Sequence, residues 1–437
     1  MAVYEFSKDS TPPMPDSDLD RARRLASEGP TFARDLTSGD AWRRFCDGLR
    51  SAGESILRSP EAASPTDLAE GHQYLLGLVH SLVERELYRT DTASPAFVRA
   101  QTDVVKVAMD NPDAALMSAP LSDDGTFEIY GVVGQIRLLE LVISGVGRPE
   151  MHYLDEFEVG AGGEFRVTLS RDKHPGNWIQ LRPGDDSVLV RRAVYDWDNE
   201  EVPHLAIRRL DGEAGALPWC LRTPTAAEVG EQLDALGALV SANADYWVDM
   251  VHSFRDEGDN VIPAPRPLPA TGMNSSRSSV KGFFVVPEDQ ALIIEFTPPE
   301  GLFWSISLGD MWYRTLDFSH HQTSLNAHQV ELDPDGACRV VVAHRDPGVP
   351  NWLDTIGHER GVMVIRWVMV SHRPQPELRL VPFSAIEPSI HRQTRRVSAE
   401  ERAETISRRR DAVAKRLAVP TTTRWSYSTR AIDPPRP

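Results

Sequence analysis

The chain contains the same short sequence motif at two places that lie 174 residues apart. Arg171-Asp172 is followed by Asn177-Trp178, and Arg345-Asp346 is followed at the same spacing by Asn351-Trp352. Such a repeat is far longer than the period of a solenoid, which is about 20–50 residues. It therefore predicts two copies of a whole domain, each with a strand, a turn and a strand around this motif.

Length and charge limit the classes of protein that this chain can represent. With 437 residues it has room for two or three domains that each bury a core. A net charge of −17 argues against non-specific binding to nucleic acid or anionic membranes, because attraction to phosphate requires a basic surface. The chain has no long apolar run and no leader-like start. We therefore predict a cytoplasmic protein with neither nucleic acid nor membrane as a partner.

Several common kinds of chemistry have no signature in this sequence. Cys46, Cys220 and Cys338 are far apart and lack the spacing of a zinc site or a disulfide framework. The phosphate-binding patterns GxxxxGK[ST] and GxGxxG are missing, as is the esterase elbow GxSxG. We expect no cofactor and no metal.

Apolar spacing divides the chain into helical and β-rich segments. Residues spaced for one helix face predict helices, and alternating residues between Asp/Gly turns predict the short strands of antiparallel β-sandwiches. The predicted order is a polar extended arm at 1–39, a helical region at 40–110 whose third helix runs from 95 to 109, a first β-sandwich at 111–212, a helical linker at 213–270, a second β-sandwich at 271–386 and a basic helical tail at 387–437.

The tail carries a weak apolar stripe beside many basic residues. The stripe consists of Ala403, Ile406, Val413 and Leu417. A lone helix with so few apolar contacts is marginal in water, so we expect it to dock either on its own chain or on a second subunit. Because exposed charge pairs are screened by salt, we expect salt to weaken this docking.

The second β-rich segment resembles a known family. It has an Asp333-Pro-Asp-Gly turn, an Asn351-Trp352-Leu353 motif and a strand with Arg366-Trp367. This is similar to the bacterial domain of unknown function 1214, which implies a jelly-roll-like β-sandwich. The opening of the first segment, with Asn111-Pro112-Asp113 and Tyr130-Gly131, is similar to the companion domain 1254. The proline-rich run and the tyrosine usual in the first family are missing here, so the resemblance implies a fold and supplies no activity.

The repeated motif and the strand that follows it supply candidate binding residues. An Arg guanidinium can bind polar groups, an Asn side chain can donate and accept hydrogen bonds, and a Trp ring can pack on a sugar or an aromatic ring. The alternative is structural, with Asn closing a turn and Trp filling a core. The binding candidates are Arg171, Asn177, Trp178, Arg345, Asn351, Trp352 and Arg366, the last of which has Arg192 at the same offset in the first copy.

Carboxylate and imidazole groups that lie close in sequence supply candidate catalytic residues. Such pairs can serve as general acid and base on a glycosidic or ester bond. His321 and His328 would meet if a hairpin joins them, and histidine titrates near neutral pH. A solvated loop is the alternative for His321 and His328, and the two Asp/His pairs occur in opposite order in the two copies. The candidates are Asp172 with His174, His344 with Asp346, and His321 with His328.

These observations predict a mainly β protein with a helical N-terminal region, a helical linker and two related antiparallel β-sandwich, jelly-roll-like domains. The functional hypothesis is binding, with processing left open, of a polar small molecule or glycan in a cleft between the sandwiches. The alternative is a non-catalytic assembly protein that forms homo-oligomers through its helical linker and basic tail. Whether the chain is an enzyme stays open.

Overall fold

The computed structural model describes residues 18–89, 92–99, 101–102, 104–145, 149–212, 223–264 and 277–417. It consists of a helical part and two β-sandwiches. The helices are α1 (Asp18–Ser38), α2 (Asp40–Arg58), α3 (Pro65–Arg89), α4 (Ala226–Arg255), α5 (Ile386–Ser389) and α6 (Ala399–Leu417). The strands of the first sandwich are β1 (Ala114–Pro120), β2 (Phe127–Val132), β3 (Leu138–Gly145), β4 (Glu150–Tyr153), β5 (Glu164–Ser170), β6 (Trp178–Gln180), β7 (Asp185–Ala193) and β8 (His204–Arg209). Those of the second are β9 (Arg277–Val285), β10 (Gln290–Phe296), β11 (Gly301–Gly309), β12 (Ser324–Asn326), β13 (Cys338–Ala343), β14 (Trp352–Asp354), β15 (Arg360–Val370) and β16 (Glu377–Pro382).

The two sandwiches have the same strand order within the described residues. The first pairs a β1-β7-β3-β4 sheet with a β6-β5-β2-β8 sheet, and the second pairs β9-β15-β11-β12 with β14-β13-β10-β16. In both, the strand that begins at the repeated Trp runs parallel to its neighbour, while the other pairs are antiparallel. Apolar residues that alternate along the strands fill each core. The predicted fold class is confirmed.

The helical part forms a bundle around α4 rather than an arm and a linker. A capping box begins α4: the Glu228 N–H donates to Oγ1 of Thr225 (3.2 Å), and Oε2 of Glu228 accepts from the Thr225 N–H (2.7 Å). Helices α2 and α4 cross at Gly48 and Gly237, where a Cβ on Gly48 would lie 2.3 Å from the Gly237 carbonyl oxygen. The glycines therefore permit the close approach that makes α4 a central helix.

Two expectations for the helical region are wrong. Residues 18–38 of the predicted extended arm form α1, whose Phe32 is buried and whose Arg21 pairs with Glu231 of α4 at 2.8 Å. The predicted third helix at 95–109 is irregular in its described residues. Ala108 and Met109 have φ of 57° and 50°, which an α-helix excludes. Residues 1–17, 213–222, 265–276 and 418–437, with Cys220 among them, lie outside the described residues.

The three parts pack on one another through the β9-β15-β11-β12 sheet. The helices bury Phe283, Val362 and Val364 on the outer face of this sheet. Farther along the same face, Phe303 and Val368 pack against Leu138, Tyr153 and Ala193 of the first sandwich. The outer face of one sheet therefore carries both the helical part and the first sandwich, and the sandwiches meet here through apolar side chains.

Candidate functional site

The repeated asparagine makes the same hydrogen bonds in both sandwiches. Asn177 accepts from the Glu158 N–H at Oδ1 (2.8 Å), and its Nδ2 donates to the carbonyl oxygens of Glu158 (2.7 Å) and Arg166 (2.9 Å). Asn351 accepts from the Glu331 N–H (2.9 Å) and donates to the carbonyl oxygens of Glu331 (2.6 Å) and Arg339 (3.1 Å). These bonds tie the strand β5 or β13 to the segment before it. The side-chain amide is thus engaged with backbone in each copy.

The repeated tryptophan has one backbone position and two different environments. Trp178 lies opposite Thr168 on the parallel neighbour strand, and Trp352 lies opposite Val341. Trp352 is 7% exposed and its Nε1 donates to the Ala343 carbonyl oxygen (3.0 Å). Trp178 is half-buried and donates to Oγ of Ser170 (3.0 Å). The first sandwich therefore leaves part of its indole ring accessible.

The 174-residue offset does not extend to Arg192 and Arg366. Val188 and Val190 point into the first core, so Arg192 lies on the core side of β7, where it donates to the Pro203 carbonyl oxygen (3.1 Å). Met363, Ile365 and Trp367 point into the second core, so Arg366 lies on the opposite, outer side of β15. The two arginines are therefore not equivalent.

The carboxylate and imidazole candidates are held in unlike ways in the two copies. Arg171 pairs with Asp123 (3.2 Å), while the Asp172 and His174 side chains make no ion pair within the described part of the chain. In the second copy, Nε2 of His344 bonds the Val286 carbonyl oxygen (2.7 Å), and Nδ1 bonds Oγ1 of Thr355 (3.0 Å).

Arg345 and Asp346 contact the C-terminal segment. The Arg345 guanidinium lies 4.3 Å from the centre of the Phe383 ring. Oδ2 of Asp346 pairs with Nε of Arg402 on α6 (2.9 Å). Asp346 is therefore engaged with α6, whereas the equivalent Asp172 makes no ion pair with a described residue.

His321 and His328 bind different carboxylates. His321 Nδ1 lies 2.8 Å from Oδ2 of Asp354, and His328 Nε2 lies 3.5 Å from Oδ1 of Asp196 in the first sandwich. His328 also packs on Tyr195 with ring centres 5.4 Å apart. No group of three or more His, Cys, Asp or Glu residues within the described residues is arranged to hold a metal ion.

An open cleft of about 460 Å³ lies beside Asn177 on the first sandwich. This volume falls within the ~300–1,000 Å³ of small-molecule sites. On one side, Arg166 pairs with Glu128 (3.1 Å). Glu164 is held by the Gly162 N–H (3.0 Å), while the Glu158 carboxylate makes no ion pair with any described residue. The cleft is lined by Glu128, Glu158, Val159, Gly160, Glu164, Arg166, Thr168, Pro175, Gly176 and Asn177.

Next to the cleft, an aromatic ring lies between two cations. The Arg166 and Arg208 guanidinium groups lie 5.9 and 4.9 Å from the centre of the Tyr130 ring. Both arginines also pair with Glu128. Strand register places Tyr130 and Glu128 on the same outer side of β2, since Phe127 and Ile129 point into the core.

The matching surface of the second sandwich is covered by its own chain. Ala291, Val341, Ala343, Val349 and Trp352 form an apolar layer there. The end of the last strand and the segment after it pack on this layer, through Val381, Phe383, Ile386 and Ile390. The first sandwich has the hydrophilic Thr168 where the second has Val341, by the pairing with the repeated Trp. Within the described residues, which stop at 212 after the first sandwich and resume at 223, the open cleft is thus a difference between the two copies.

Helix α6 docks within the chain through arginines rather than through its apolar stripe. Arg402, Arg409 and Arg416 are 8%, 5% and 4% exposed, whereas Ala403 is exposed. Arg402 lies 5.1 Å from the Trp352 ring centre, and Arg416 donates to the Pro112 carbonyl oxygen. Of the expected apolar stripe, Val413 is buried, Ile406 is half-buried and Ala403 is exposed, while the Leu417 side chain lies outside what the structure describes.

Arginines of α6 end beside a carboxylate that joins the two sandwiches. Oδ1 of Asp113 accepts from Nε1 of Trp197 (2.8 Å) and from Nδ2 of Asn326 (2.7 Å). Burial raises the pKa of Asp113, and the hydrogen bonds and the guanidinium groups of Arg416 and Arg409 oppose that rise. This connection was not found from the sequence, although the seven-residue spacing of the arginines was visible there.

By its fold the protein is a double β-sandwich. Within the described residues, the first sandwich has an open polar cleft, and the second is covered by the segment that follows its last strand. Residues 289–369, which span β10 to most of β15, match a family described as a protein of unknown function, DUF1214. This match lies within the second sandwich, where the sequence resembles the same family. No curated protein matches the chain.

Two solved structures are similar to the chain. The chain is similar over 81% of its length to 99% of an uncharacterised protein from Burkholderia cenocepacia, with 28% identity and a TM-score of 0.74. It is also similar over 70% of its length to the whole of a protein from Vibrio parahaemolyticus, with 12% identity and a TM-score of 0.41. In the described part of the chain, no helix combines the length and apolar character needed to cross a bilayer.

Proposed function

We propose that the protein binds a hydroxyl-rich polar molecule, such as a glycan segment, in the open cleft of the first sandwich. The observation that carries this proposal is a difference between the copies within the described residues: the cleft beside Asn177 is open, while Phe383, Ile386 and Ile390 pack on the matching surface of the second sandwich. A surface that is covered in one copy and accessible in the other, within the part of the chain that the structure describes, is a candidate binding face where it is accessible.

The chemistry of the cleft supports a neutral or weakly charged ligand with many hydroxyl groups. The Glu158 and Glu164 carboxylates supply acceptors, and the Asn177 amide is already engaged with backbone. Arg166 and Glu128 largely neutralise one another, so a strongly charged ligand has no net partner on that side. The partly accessible Trp178 ring and the Tyr130 ring supply apolar area beside these polar groups.

A matched pair of variants tests this proposal. Glu158 and Glu331 hold equivalent asparagines, but only the Glu158 carboxylate lines the open cleft. Saccharides and polyols that bind would be found by saturation-transfer NMR, and their affinities would be measured by calorimetry. Glu158→Gln should weaken binding about tenfold or more, because hydrogen bonds to a charged group contribute roughly 1.5–3 kcal/mol. Glu331→Gln should leave the affinity unchanged.

A blocking variant completes the test. Thr168→Trp places a large ring on the floor of the cleft and should abolish binding, since Thr168 is half-buried there. The proposal is wrong if no compound of the panel binds the intact protein. It is also wrong if a bound compound keeps its affinity in Thr168→Trp, because the ligand would then lie elsewhere.

Assembly through the helical linker and tail is less well supported. Helix α4 packs within the bundle, and the arginine face of α6 is buried against the sandwiches. Among the described residues, an oligomer built on these helices would use their exposed positions, such as Asp245 of α4 and Arg410 of α6. We also propose that the first sandwich is a 1254-like domain and that the protein is cytoplasmic; the Asn111-Pro112-Asp113 motif supports the former.

A further inference from the structure

The outer face of the β9-β15-β11-β12 sheet carries polar residues between its two apolar contacts. Strand register places Ser307, Val364 and Lys281 in one row and Ser305, Arg366 and Ser279 in the next. The row before them packs under the helices at Val362 and Phe283, and the row after them packs under the first sandwich at Phe303 and Val368. The helical part and both sandwiches therefore meet at these polar rows, which we call the junction.

Arg366 is fixed in the junction by backbone and hydroxyl groups. Its Nη1 donates to Oγ of Ser307 (2.8 Å), and its Nη2 donates to the Met109 carbonyl oxygen (2.6 Å). No carboxylate lies within salt-bridge distance of its guanidinium in the described residues. A guanidinium has five N–H donors, so donors remain for a further partner.

Lys281 lies beside Arg366 and has no anionic partner among the residues that the structure describes. Its ammonium lies 5.6 Å from the centre of the Phe254 ring and makes no hydrogen bond or ion pair with a described residue. Burial, together with the nearby Arg366 charge, lowers the pKa of Lys281. Burial likewise lowers the pKa of Arg366. Two neighbouring cations in a partly desolvated place without a counter-ion are unfavourable unless an anion joins them.

The acidic groups nearest to the junction are engaged elsewhere. Oδ1 of Asp110 accepts from the Thr315 hydroxyl, and Asp113 accepts from Trp197 and Asn326. On the first sandwich, Glu140 pairs with Arg191. These carboxylates weaken the local positive field but do not contact the Lys281 ammonium.

The wall of the junction contains an unusual backbone. Ala108, Met109 and Tyr313 have φ of 57°, 50° and 59°, and the Met109 N–H donates to the Tyr313 carbonyl oxygen (2.6 Å). Positive φ is uncommon for residues other than glycine and is concentrated at functional sites. Here it presents the Met109 carbonyl to Arg366. The buried hydroxyl of Ser305, opposite Arg366 on β11, has no hydrogen-bond partner within the described residues.

We propose that the junction binds the oxyanion group of a small molecule, a carboxylate or a phosphate, between the Lys281 ammonium and the Arg366 guanidinium. Ser279, in the same row as Arg366 and on the edge strand β9, is exposed, which gives the ligand a way in. The Ser305 hydroxyl supplies a further donor. This site is separate from the cleft of the first sandwich and does not depend on it.

Inorganic phosphate and benzoate, added separately in a chloride-free buffer, test the proposal and distinguish the two oxyanions. At least one of them should raise the melting temperature of the intact protein with increasing concentration, since it binds the native state only. In Lys281→Met this shift should disappear, and the affinity should fall about tenfold or more. Without added anion, Lys281→Met should melt above the original protein, because an uncompensated cation is removed. Lys415→Met, at an exposed position on α6, should behave like the original protein.

Chemical labelling provides a second measurement that needs no variant. An acylating reagent modifies only neutral amines, so Lys281 should react at lower pH than Lys415, and phosphate or benzoate should protect it. Mass spectrometry of the peptides measures both effects. The proposal is overturned if neither anion shifts the melting temperature or protects Lys281. A shift that persists in Lys281→Met overturns it equally.

Discussion

The repeated asparagine makes a quantitative prediction, since the same substitution can be made at two equivalent places. In each sandwich the side-chain amide joins one backbone N–H and two backbone carbonyl oxygens. A hydrogen bond of this kind contributes a net ~1 kcal/mol, and a buried partner left alone costs more than an exposed one. Asn351 is 5% exposed, whereas Asn177 is half-buried.

Asn351→Ala should therefore lower the free energy of unfolding by about 3 kcal/mol. Asn177→Ala should lower it by about 1–2 kcal/mol, because water can reach the groups that lose their partner. Asn351→Asp should be worse than Asn351→Ala, since a carboxylate would face the carbonyl oxygens of Glu331 and Arg339. Asn199→Ala, in an exposed turn, should change the free energy by less than about 0.5 kcal/mol.

Urea denaturation measures these differences in the free energy of unfolding, and hydrogen exchange shows which sandwich is destabilised. The Glu158 and Glu331 amide protons are bonded to the asparagine Oδ1 atoms, so each should lose protection in the variant of its own sandwich and keep it in the other. Equal costs at both sites would refute the role of burial in this reasoning. A cost below about 1 kcal/mol for Asn351→Ala would refute the structural role itself.

Other contacts give further predictions. Burial lowers the pKa of His358, but its hydrogen bond to Glu70 (2.7 Å) and the Glu70 charge raise it more, so the folded-state pKa is above the ordinary value. Glu70→Gln should therefore cost roughly 1–2 kcal/mol below about pH 6.5, and urea denaturation should show this difference shrinking as pH rises through the raised pKa. A difference that grows with pH would contradict this. Trp352→Ala should cost about 3–5 kcal/mol and Trp178→Ala about 1–2, by the same measurement; equal costs would contradict the different burial of the two rings. Because Arg409 is buried, the exchange protection of α6 should change little up to about 1 M salt, and a large loss would favour the surface docking expected from the sequence.

The β-sandwiches could be predicted from the sequence because their signals are local. Alternation of apolar residues and Asp/Gly turns shows the strands, and the repeated Asn-Trp unit shows that two domains share one topology. The sequence was less informative where polar residues are buried. An apolar stripe was expected to order α6, yet Arg402, Arg409 and Arg416 form its buried face. Their seven-residue spacing predicts a buried helix face only if arginines are counted among the residues that can be buried.

The junction could not be predicted, because its residues come from distant segments. Lys281 and Arg366 have no common motif, and only the pairing of β9 with β15 brings them together. The expected helix at 95–109 also hid the role of Met109, whose left-handed backbone presents a carbonyl oxygen to Arg366. Periodicity describes which face a residue occupies within an element, but it says nothing about which faces of different elements meet.

The two copies show which residues the fold requires and which are free to change. Strand register makes Arg166 equivalent to Arg339, and opposite them lie Tyr130 in one copy and Glu295 in the other. In the second sandwich Arg339 pairs with Glu295 (2.8 Å), and in the first the same position stacks an arginine on an aromatic ring. The asparagine bonds to the backbone are kept in both copies. A residue that bonds to the backbone is thus constrained by the topology, whereas a residue on the outer face is constrained only by the groups that pack on it. On the cleft of the first sandwich, no described residue packs as Phe383 and Ile386 do on the second.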